Sequence, residues 1–298
     1  MKNMLLLYIL SFSMACGANK PTPKAATTSL VADGATLQLV SDQFKFTEGP
    51  AKDAAGNVFF TDQPNNRIWK YNTDGQLSIF MENAGRSNGL YFNTKGQLLA
   101  CADGNNELWR ISMDKSVQVL VKDVSGEKLN GPNDVWENAS NGDIYFTDPY
   151  YKRDYWTRTE PARPQHVYLL RGGKLTTVAT DLVKPNGIIG TADGKRLYIA
   201  DIGDNKTYTY TIEKNGSLSN KKLLAAQGSD GMTLDERGNV YLTGKGVMIY
   251  NAQGEHLQTI TVPENWTANV CFGGVNNNQL FITASKSAYT LLMNVKGQ

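Results

Sequence analysis

Residues 56–62 read GNVFFTD, a turn residue followed by a short β-rich run and an Asp, and this pattern decides the fold because it recurs. The other copies are GQLLACAD at 96–103, GDIYFTD at 142–148, GKRLYIAD at 194–201, GNVYLTG at 238–244 and NQLFITA at 278–284. Neighbouring copies start 40 to 52 residues apart. A period in the forties that carries several short strands is typical of β-propeller blades. The sequence therefore predicts an all-β fold, a six-bladed β-propeller.

Each copy is followed by a second β-rich run, such as RIWKYN at 67–72 or HVYLLR at 166–171, and then by a polar turn. Adjacent β-rich runs separated by Asn or Gly turns indicate antiparallel hairpins. The segment Ala35–Val40 precedes the first full unit and has no partner of its own. We expect it to be the outer strand of the last blade, where it closes the ring and protects an open edge. Six similar units and this leftover strand argue against a β-sandwich or a solenoid.

The N-terminus resembles a targeting segment. Lys2 precedes an apolar run from Met4 to Met14, which is too short to span a bilayer, and small residues lead to Cys16. We predict a signal peptide at 1–15, a lipidated Cys16 and a flexible tether at 16–36, followed by the propeller at 37–298. An ordinary secretory signal is the alternative.

These features imply an exported protein in the bacterial periplasm or at the outer membrane, which touches the membrane only through its lipid. The net charge is +2, and no basic block stands out among the 30 Lys and Arg residues. We therefore expect a monomer that does not bind nucleic acid.

One polar residue lies eight or nine positions before each repeat. The six are Glu48, Asn88, Asn133, Asn186, Asp230 and Asn269. In a propeller the chain enters the innermost strand there, so the six positions converge on the axis at one mouth. Two neighbouring carboxylates repel unless a cation lies between them, and a set of oxygen donors suits Ca²⁺ or Mg²⁺. Asn-Gly and Asp-Gly are also common turn dipeptides, but turn chemistry alone does not need a Glu in register.

Several of these segments together resemble the gluconolactonase/regucalcin-like family, which includes luciferin-regenerating enzyme. The segments are FTEGP at 46–50, GPNDVWENASNGDIYFTDPYY at 131–151, KPNGIIGTADGKRLYIAD at 184–201, SDGMTLDERGNVYL at 229–242 and NVCFGGVNNNQLFITA at 269–284. The resemblance covers roughly residues 40–298. It implies a six-bladed propeller that holds one divalent cation, with Ca²⁺ preferred over Mg²⁺ or Zn²⁺, and that opens lactones.

The resemblance also suggests roles for individual residues. Glu48, Asn186 and Asp230 match the three core metal ligands of the family, and Asn133 matches a fourth ligand or a substrate contact. Asp230 further matches the general base. Asn88 is a candidate substrate ligand, as is Arg86, which precedes the Asn88 segment. The insertion 149–165 is rich in Tyr, Trp and Arg, so it either shapes a sugar pocket or is a solvated surface loop.

These observations predict a metal-dependent carboxylic ester hydrolase that acts on a small sugar-type lactone. The cation would polarise the carbonyl, and Asp230 would act as base. An organophosphate or aryl esterase on the same metal site is an alternative, and so is a non-enzymatic binding propeller stabilised by Ca²⁺. A Ser-His-Asp triad is disfavoured because neither His166 nor His256 follows a nucleophile pattern.

Overall fold

The computed structural model of the protein describes Met1 and residues 29–298. Across these residues, 24 strands form six four-stranded antiparallel sheets, and the only helix is a short 3-10 turn at Gln63–Asn65. The predicted six-bladed β-propeller is confirmed. Within residues 29–298 no helix is long and apolar enough to cross a membrane.

Five blades are each built from four consecutive strands. The first contains β2 (Thr47–Lys52), β3 (Val58–Asp62), β4 (Arg67–Tyr71) and β5 (Leu77–Glu82). The second contains β6 (Ser87–Phe92), β7 (Leu98–Ala102), β8 (Glu107–Ile111) and β9 (Val117–Val121). The third contains β10 (Val135–Asn138), β11 (Asp143–Asp148), β12 (His166–Arg171) and β13 (Lys174–Ala179). The fourth contains β14 (Pro185–Gly190), β15 (Arg196–Asp201), β16 (Lys206–Ile212) and β17 (Leu218–Ala225). The fifth contains β18 (Met232–Leu234), β19 (Val240–Gly244), β20 (Gly246–Tyr250) and β21 (His256–Ile260).

The sixth blade joins the two ends of the propeller. It contains β22 (Thr267–Gly273), β23 (Gln279–Ala284) and β24 (Ser287–Leu292), and its outer strand is β1 (Gln38–Ser41). Strand β1 pairs antiparallel with β24, with Leu39 opposite Tyr289. The predicted closure by an N-terminal strand is thus confirmed, and it covers an edge of β24 that would otherwise present unpaired backbone groups.

The propeller begins earlier than the sequence suggested. Residues 29–36, assigned above to the flexible tether, pack against the last blade: Leu30 is buried in its core, Val31 forms a bridge with Met293, and the Ala32 amide donates to the Leu292 carbonyl at 3.1 Å. The apolar side chains at 30 and 31 fasten this segment, so the boundary lies at or before residue 29. The predicted signal peptide and Cys16 lie outside the described residues.

The hydrophobic core is divided among the interfaces between blades. Each of six apolar clusters joins two neighbouring blades; one, for example, packs Leu99 of β7 against Ile144 of β11. The repeat quoted above forms the second strand of every blade, and β3, β7, β11 and β19 are buried throughout. Their near-continuous apolar composition follows from burial on both faces.

The antiparallel connections divide the loops between two ends of the axis. The starts of the inner strands β2, β6, β10, β14, β18 and β22 lie at one end, together with the loops between second and third strands. We call this end the mouth. The turns between first and second strands, such as residues 53–57, lie at the opposite end, the back face.

Candidate active site

The six polar residues predicted to converge lie at or just before the starts of the inner strands; Asp230 is half-buried and the other five are buried. We call Glu48, Asn88, Asn133, Asn186, Asp230 and Asn269 the polar ring. Strand pairing shifts register close to this level in four blades: between Glu48 and Ala51, Ser87 and Leu90, Pro185 and Ile188, and Thr267 and Asn269. Such bulges re-aim side chains. The Asn-Gly dipeptides of blades two and four therefore lie within strands and are not turns.

The glycines that follow ring residues allow the inner strands to approach one another. A Cβ at Gly231 would overlap the Asn269 amide, and one at Gly89 would overlap the Asp134 carboxylate. The Gly89 amide also donates to the Asn133 carbonyl at 2.7 Å, which links the second and third blades. These contacts explain why glycine follows several ring positions.

Hydrogen bonds fix Asp230 and Asn186 together. Asn186 Nδ2 donates to Asp230 Oδ1 and to the Tyr151 hydroxyl, both at 2.7 Å, and Trp266 Nε1 donates to Asp230 Oδ2 at 2.6 Å. Because an ionised carboxylate only accepts hydrogen bonds, the amide nitrogen must face Asp230. The other amide atom, Asn186 Oδ1, is buried and finds no hydrogen-bond partner in the described part of the chain.

Glu48 is the second ring carboxylate. Its Oε2 accepts hydrogen bonds from the Gly49 amide at 2.9 Å and from Asn269 Nδ2 at 3.4 Å. Burial, and after it the negative charge of Asp230, raise the pKa of Glu48 well above its usual range. Burial also raises the pKa of Asp230, while the bonds from Trp266 and Asn186 oppose that rise. The charge of Asp230 thus opposes the ionisation of Glu48, as expected for two neighbouring carboxyl groups.

Asn88 and Asn133 complete the ring on blades two and three. Both are buried, and neither side-chain amide has a hydrogen-bond partner among residues 29–298. Their amides are therefore free to contact a ligand at the mouth. With Glu48, Asn186, Asp230 and Asn269, they form the cluster expected from the repeat spacing.

The sequence analysis missed a third buried acid, Asp134. Its Oδ1 accepts a hydrogen bond from the Val135 amide at 3.1 Å, and burial raises its pKa to about 8. Its negative charge also raises the pKa of Glu48. A signal for it existed, because Asp134 follows Asn133 where four of the other five ring residues are followed by glycine.

The insertion 149–165 folds over the mouth. Tyr151 reaches Asn186, and two other insertion residues meet the buried Asp103: Arg153 Nε and the Tyr155 hydroxyl each donate to Asp103 Oδ2 at 2.7 Å. Of the two alternatives stated above, the structure therefore supports a loop that shapes the pocket. Sequence reasoning pointed to this segment but did not single out Tyr151, Arg153 or Asp103.

Arg86 and the histidines lie outside the polar ring. Arg86 is at the rim of the mouth, where Nη1 donates to the Pro64 carbonyl at 3.1 Å and the guanidinium lies 4.3 Å from the centre of the Tyr155 ring. His166 begins β12, two strands away from the axis, and His256 is exposed on β21. The candidate ligands of the site are therefore oxygen atoms of the ring side chains.

The donor atoms fit a hard divalent cation. Residues 29–298 contain no group of three His, Cys, Asp or Glu placed to hold a metal, so any cation at the ring would also need amide oxygens as ligands. The ring offers two carboxylates, together with an Asn186 oxygen that is buried without a partner. Ca²⁺ takes such mixed carboxylate and amide oxygens, and its charge would offset the repulsion between Glu48 and Asp230.

A cavity of about 310 Å³ occupies the axis between the ring and the back face. Asp134 and Asn269 line it beside mainly apolar side chains such as Trp136, Met232 and Val270. Polar side chains such as Lys52 and Glu137 also line it, toward the back face. The mouth is the candidate active site because the ring carboxylates, the Asn186 oxygen without a partner in the described chain and the insertion converge there.

The arrangement of the site can be compared with known proteins. Residues 46–286 match the model of the SMP-30/gluconolactonase/LRE-like region. The chain belongs to this family. A gluconolactonase of Zymomonas mobilis is 27% identical over 282 residues, covering 84% of this chain and 79% of its own length.

Solved structures of the family agree. A candidate gluconolactonase superposes with a TM-score of 0.84 and 32% identity, covering 90% of this chain and 96% of its own. A gluconolactonase from Xanthomonas campestris gives 0.82 and 26%, with 90% and 92% coverage. The predicted family and the lactonase-type enzyme class, a carboxylic ester hydrolase, are thus confirmed.

Proposed function

We propose that the protein is a metal-dependent lactonase that opens a small sugar-type lactone at its mouth. The observation that carries the proposal is the pair of ring carboxylates, the buried Glu48 and the half-buried Asp230, beside the Asn186 oxygen that has no partner in the described chain. The gluconolactonases among the relatives support this choice of substrate. The same ring could polarise other esters, and the lactone is preferred because the relatives described above are gluconolactonases.

Four residues would hold the cation: Glu48, Asn133, Asn186 and Asp230, with Ca²⁺ preferred because all their donor atoms are oxygens. When bound, the cation supplies Lewis-acid polarisation of the lactone carbonyl. Tyr151 and Asp230 fix the Asn186 amide through its nitrogen, which keeps Oδ1 available as a ligand. Outer-shell hydrogen bonds of this kind orient metal ligands.

The chain's own groups carry the proton steps. Asp230 takes a proton from the attacking water onto a carboxylate oxygen, because each oxygen keeps a second lone pair beyond the bond it already accepts. The hydroxide adds to the carbonyl carbon, and the ring C–O bond then breaks. Asp230 returns its proton to the departing alkoxide, which yields the hydroxy acid. Asn88 and Asn133 donate hydrogen bonds to substrate oxygens.

A proton-release assay tests the proposal. The full chain is mixed with glucono-1,5-lactone, first with a chelator and then with Ca²⁺, Mg²⁺ or Zn²⁺ restored. We expect hydrolysis to stop with the chelator and to return with a divalent ion, most strongly with Ca²⁺. Chelator-resistant hydrolysis would contradict the metal requirement. A folded protein that binds Ca²⁺ but leaves the lactone intact would contradict the activity.

We also propose that the protein is exported and anchored through a lipid on Cys16. The support is the order of charge, apolar run and small residues in the first 16 positions. Incorporation of a labelled fatty acid in a bacterial host should occur in the wild type and disappear in Cys16→Ser. Equal labelling of both would show that Cys16 is not the acceptor.

A further inference from the structure

We infer that the mouth selects lactones that carry an anionic group, and that three basic side chains on blades two to four bind this group. These are Arg86, Arg158 and Lys184, which we call the basic arc. The inference rests on the proposed lactonase function and adds the substrate's charge to it.

The basic arc follows the mouth across three consecutive blades. Arg86 and Lys184 stand two residues before Asn88 and Asn186, at the same step of the segments that lead into β6 and β14. Arg158 of the insertion donates through Nη2 to the Asn130 carbonyl, three residues before Asn133. The three cations therefore surround the amide side of the polar ring.

Aromatic rings of the insertion hold each cation in place. The Arg86 guanidinium lies 4.3 Å from the centre of the Tyr155 ring, and that of Arg158 lies 4.1 Å from the Trp156 ring. The Lys184 ammonium lies 4.5 Å from the Tyr151 ring. Tyr151 also forms a hydrogen bond with Asn186, so only the Tyr151 side chain separates the Lys184 ammonium from the polar ring. Stacking of this kind places a cation without neutralising it.

No acidic side chain in residues 29–298 forms an ion pair with any of the three. The other insertion arginine with a clear role, Arg153, is paired with Asp103 at 2.7 Å. Arg158 Nη1 is buried and has no hydrogen-bond partner in the described chain. Asp148 and Asp103 act on Arg158 electrostatically without forming an ion pair with it, so Arg86 and Lys184 are the members of the arc whose charge is left most fully for a ligand.

A neutral sugar lactone would bring no negative charge to pair with the basic arc. A carboxylate, phosphate or sulfonate at the end of the sugar remote from the lactone carbonyl would complement it, since charge-assisted bonds from Arg and Lys are among the stronger hydrogen bonds. An anion there would also be drawn in from solution by the field of the mouth.

A matched pair of lactones isolates the effect of charge. Glucaro-1,4-lactone carries a carboxylate where glucono-1,4-lactone carries a hydroxymethyl group, and the two are otherwise alike. In the Ca²⁺-loaded full chain we expect kcat/KM to be about tenfold higher for glucaro-1,4-lactone at low ionic strength. The ratio should fall as salt is added, because salt screens partly exposed charges.

Lys184→Gln should lower the ratio toward one, mainly by raising KM for the anionic lactone. The control is Lys221→Gln, which removes the same charge from β17 on the outer side of blade four, where the Lys221 ammonium lies 4.1 Å from the Tyr208 ring. This control should leave the ratio unchanged.

The outcomes separate the two proposals. Equal or better hydrolysis of the neutral lactone would overturn the inference while leaving the lactonase intact. A Lys184→Gln variant that hydrolyses both lactones more slowly by the same factor would also overturn it, because the basic arc would then only stabilise the insertion. Failure to hydrolyse either lactone would contradict the lactonase itself, and the inference with it.

Discussion

The two halves of the mouth are built differently. Blades one and five supply the carboxylates Glu48 and Asp230, and the neighbouring loops are short. Blades two to four supply amides, the long insertion and the basic arc. Hydrogen bonds hold the functional side chains of the first half in place. In the second half, the cationic side chains stack on aromatic rings. Under the proposed function, the first half would supply the base and the anionic ligands of the cation, and the second would supply its amide ligands and recognise the substrate.

The largest expected effect comes from the acidic half. Asp230→Asn removes the base and one anionic ligand while keeping the shape of the side chain. We expect kcat for glucono-1,5-lactone to fall by about 10³-fold, in the range of losses seen when a general base is removed. Thermal unfolding should show a folded protein of similar or higher stability, because a half-buried charge is lost. Full activity in this variant would refute the assignment of the base.

The hydrogen bond that orients the Asn186 amide should matter next. Tyr151→Phe removes one of the two acceptors of the Asn186 amide and leaves only Asp230 to orient it, so Asn186 presents its oxygen less often. We expect Ca²⁺ affinity, measured by titration calorimetry, to fall by about tenfold, as is usual for outer-shell changes. The control is Tyr210→Phe, since the Tyr210 hydroxyl is buried without a partner in the described chain and lies on β16. Equal affinities in both variants would deny Tyr151 a positioning role.

The smallest effect should come from the ion pair that fastens the insertion. Arg153→Met leaves the insertion with only the Tyr155 bond to Asp103, so we expect kcat/KM to fall by about fivefold to tenfold through poorer substrate positioning. Protease cleavage within 149–165 should become faster.

Arg171→Met is the matched control. It breaks the Arg171–Asp143 pair, which has a similarly buried carboxylate but lies toward the back face of blade three. Both variants should lose some thermal stability, whereas only Arg153→Met should lose activity. A loss of activity in both would mean that general destabilisation explains the effect.

The repeat made much of the molecule predictable. A constant offset from each copy to a polar residue placed Glu48, Asn88, Asn133, Asn186, Asp230 and Asn269 at one level, because equivalent positions in a propeller share a height on the axis. The unpartnered strand near residue 40 likewise predicted the closure of the ring. Periodic features can be predicted because geometry repeats with sequence.

Contacts of the insertion could not be predicted in this way, because they occur once. Asp62, Asp148 and Asp201 end their repeats and accept backbone amides of the segment leading into their own blade, for example from Gly131 to Asp148 at 2.9 Å. Asp103 occupies the same position but instead binds side chains, including Arg153, which is 50 residues away in the chain. Nothing in its repeat distinguishes it from the structural copies.

The course of the N-terminal segment also fixes how the molecule would face its surroundings. Strand β24 runs from the mouth toward the back face, and Val31 bridges to Met293 just beyond its end. The described chain therefore starts at the back face. If Cys16 carries a lipid, the 12 intervening residues let it reach at most about 45 Å from residue 29. The propeller would then stand on the bilayer with its back face toward the lipid and its mouth open to the aqueous compartment, free to receive small solutes.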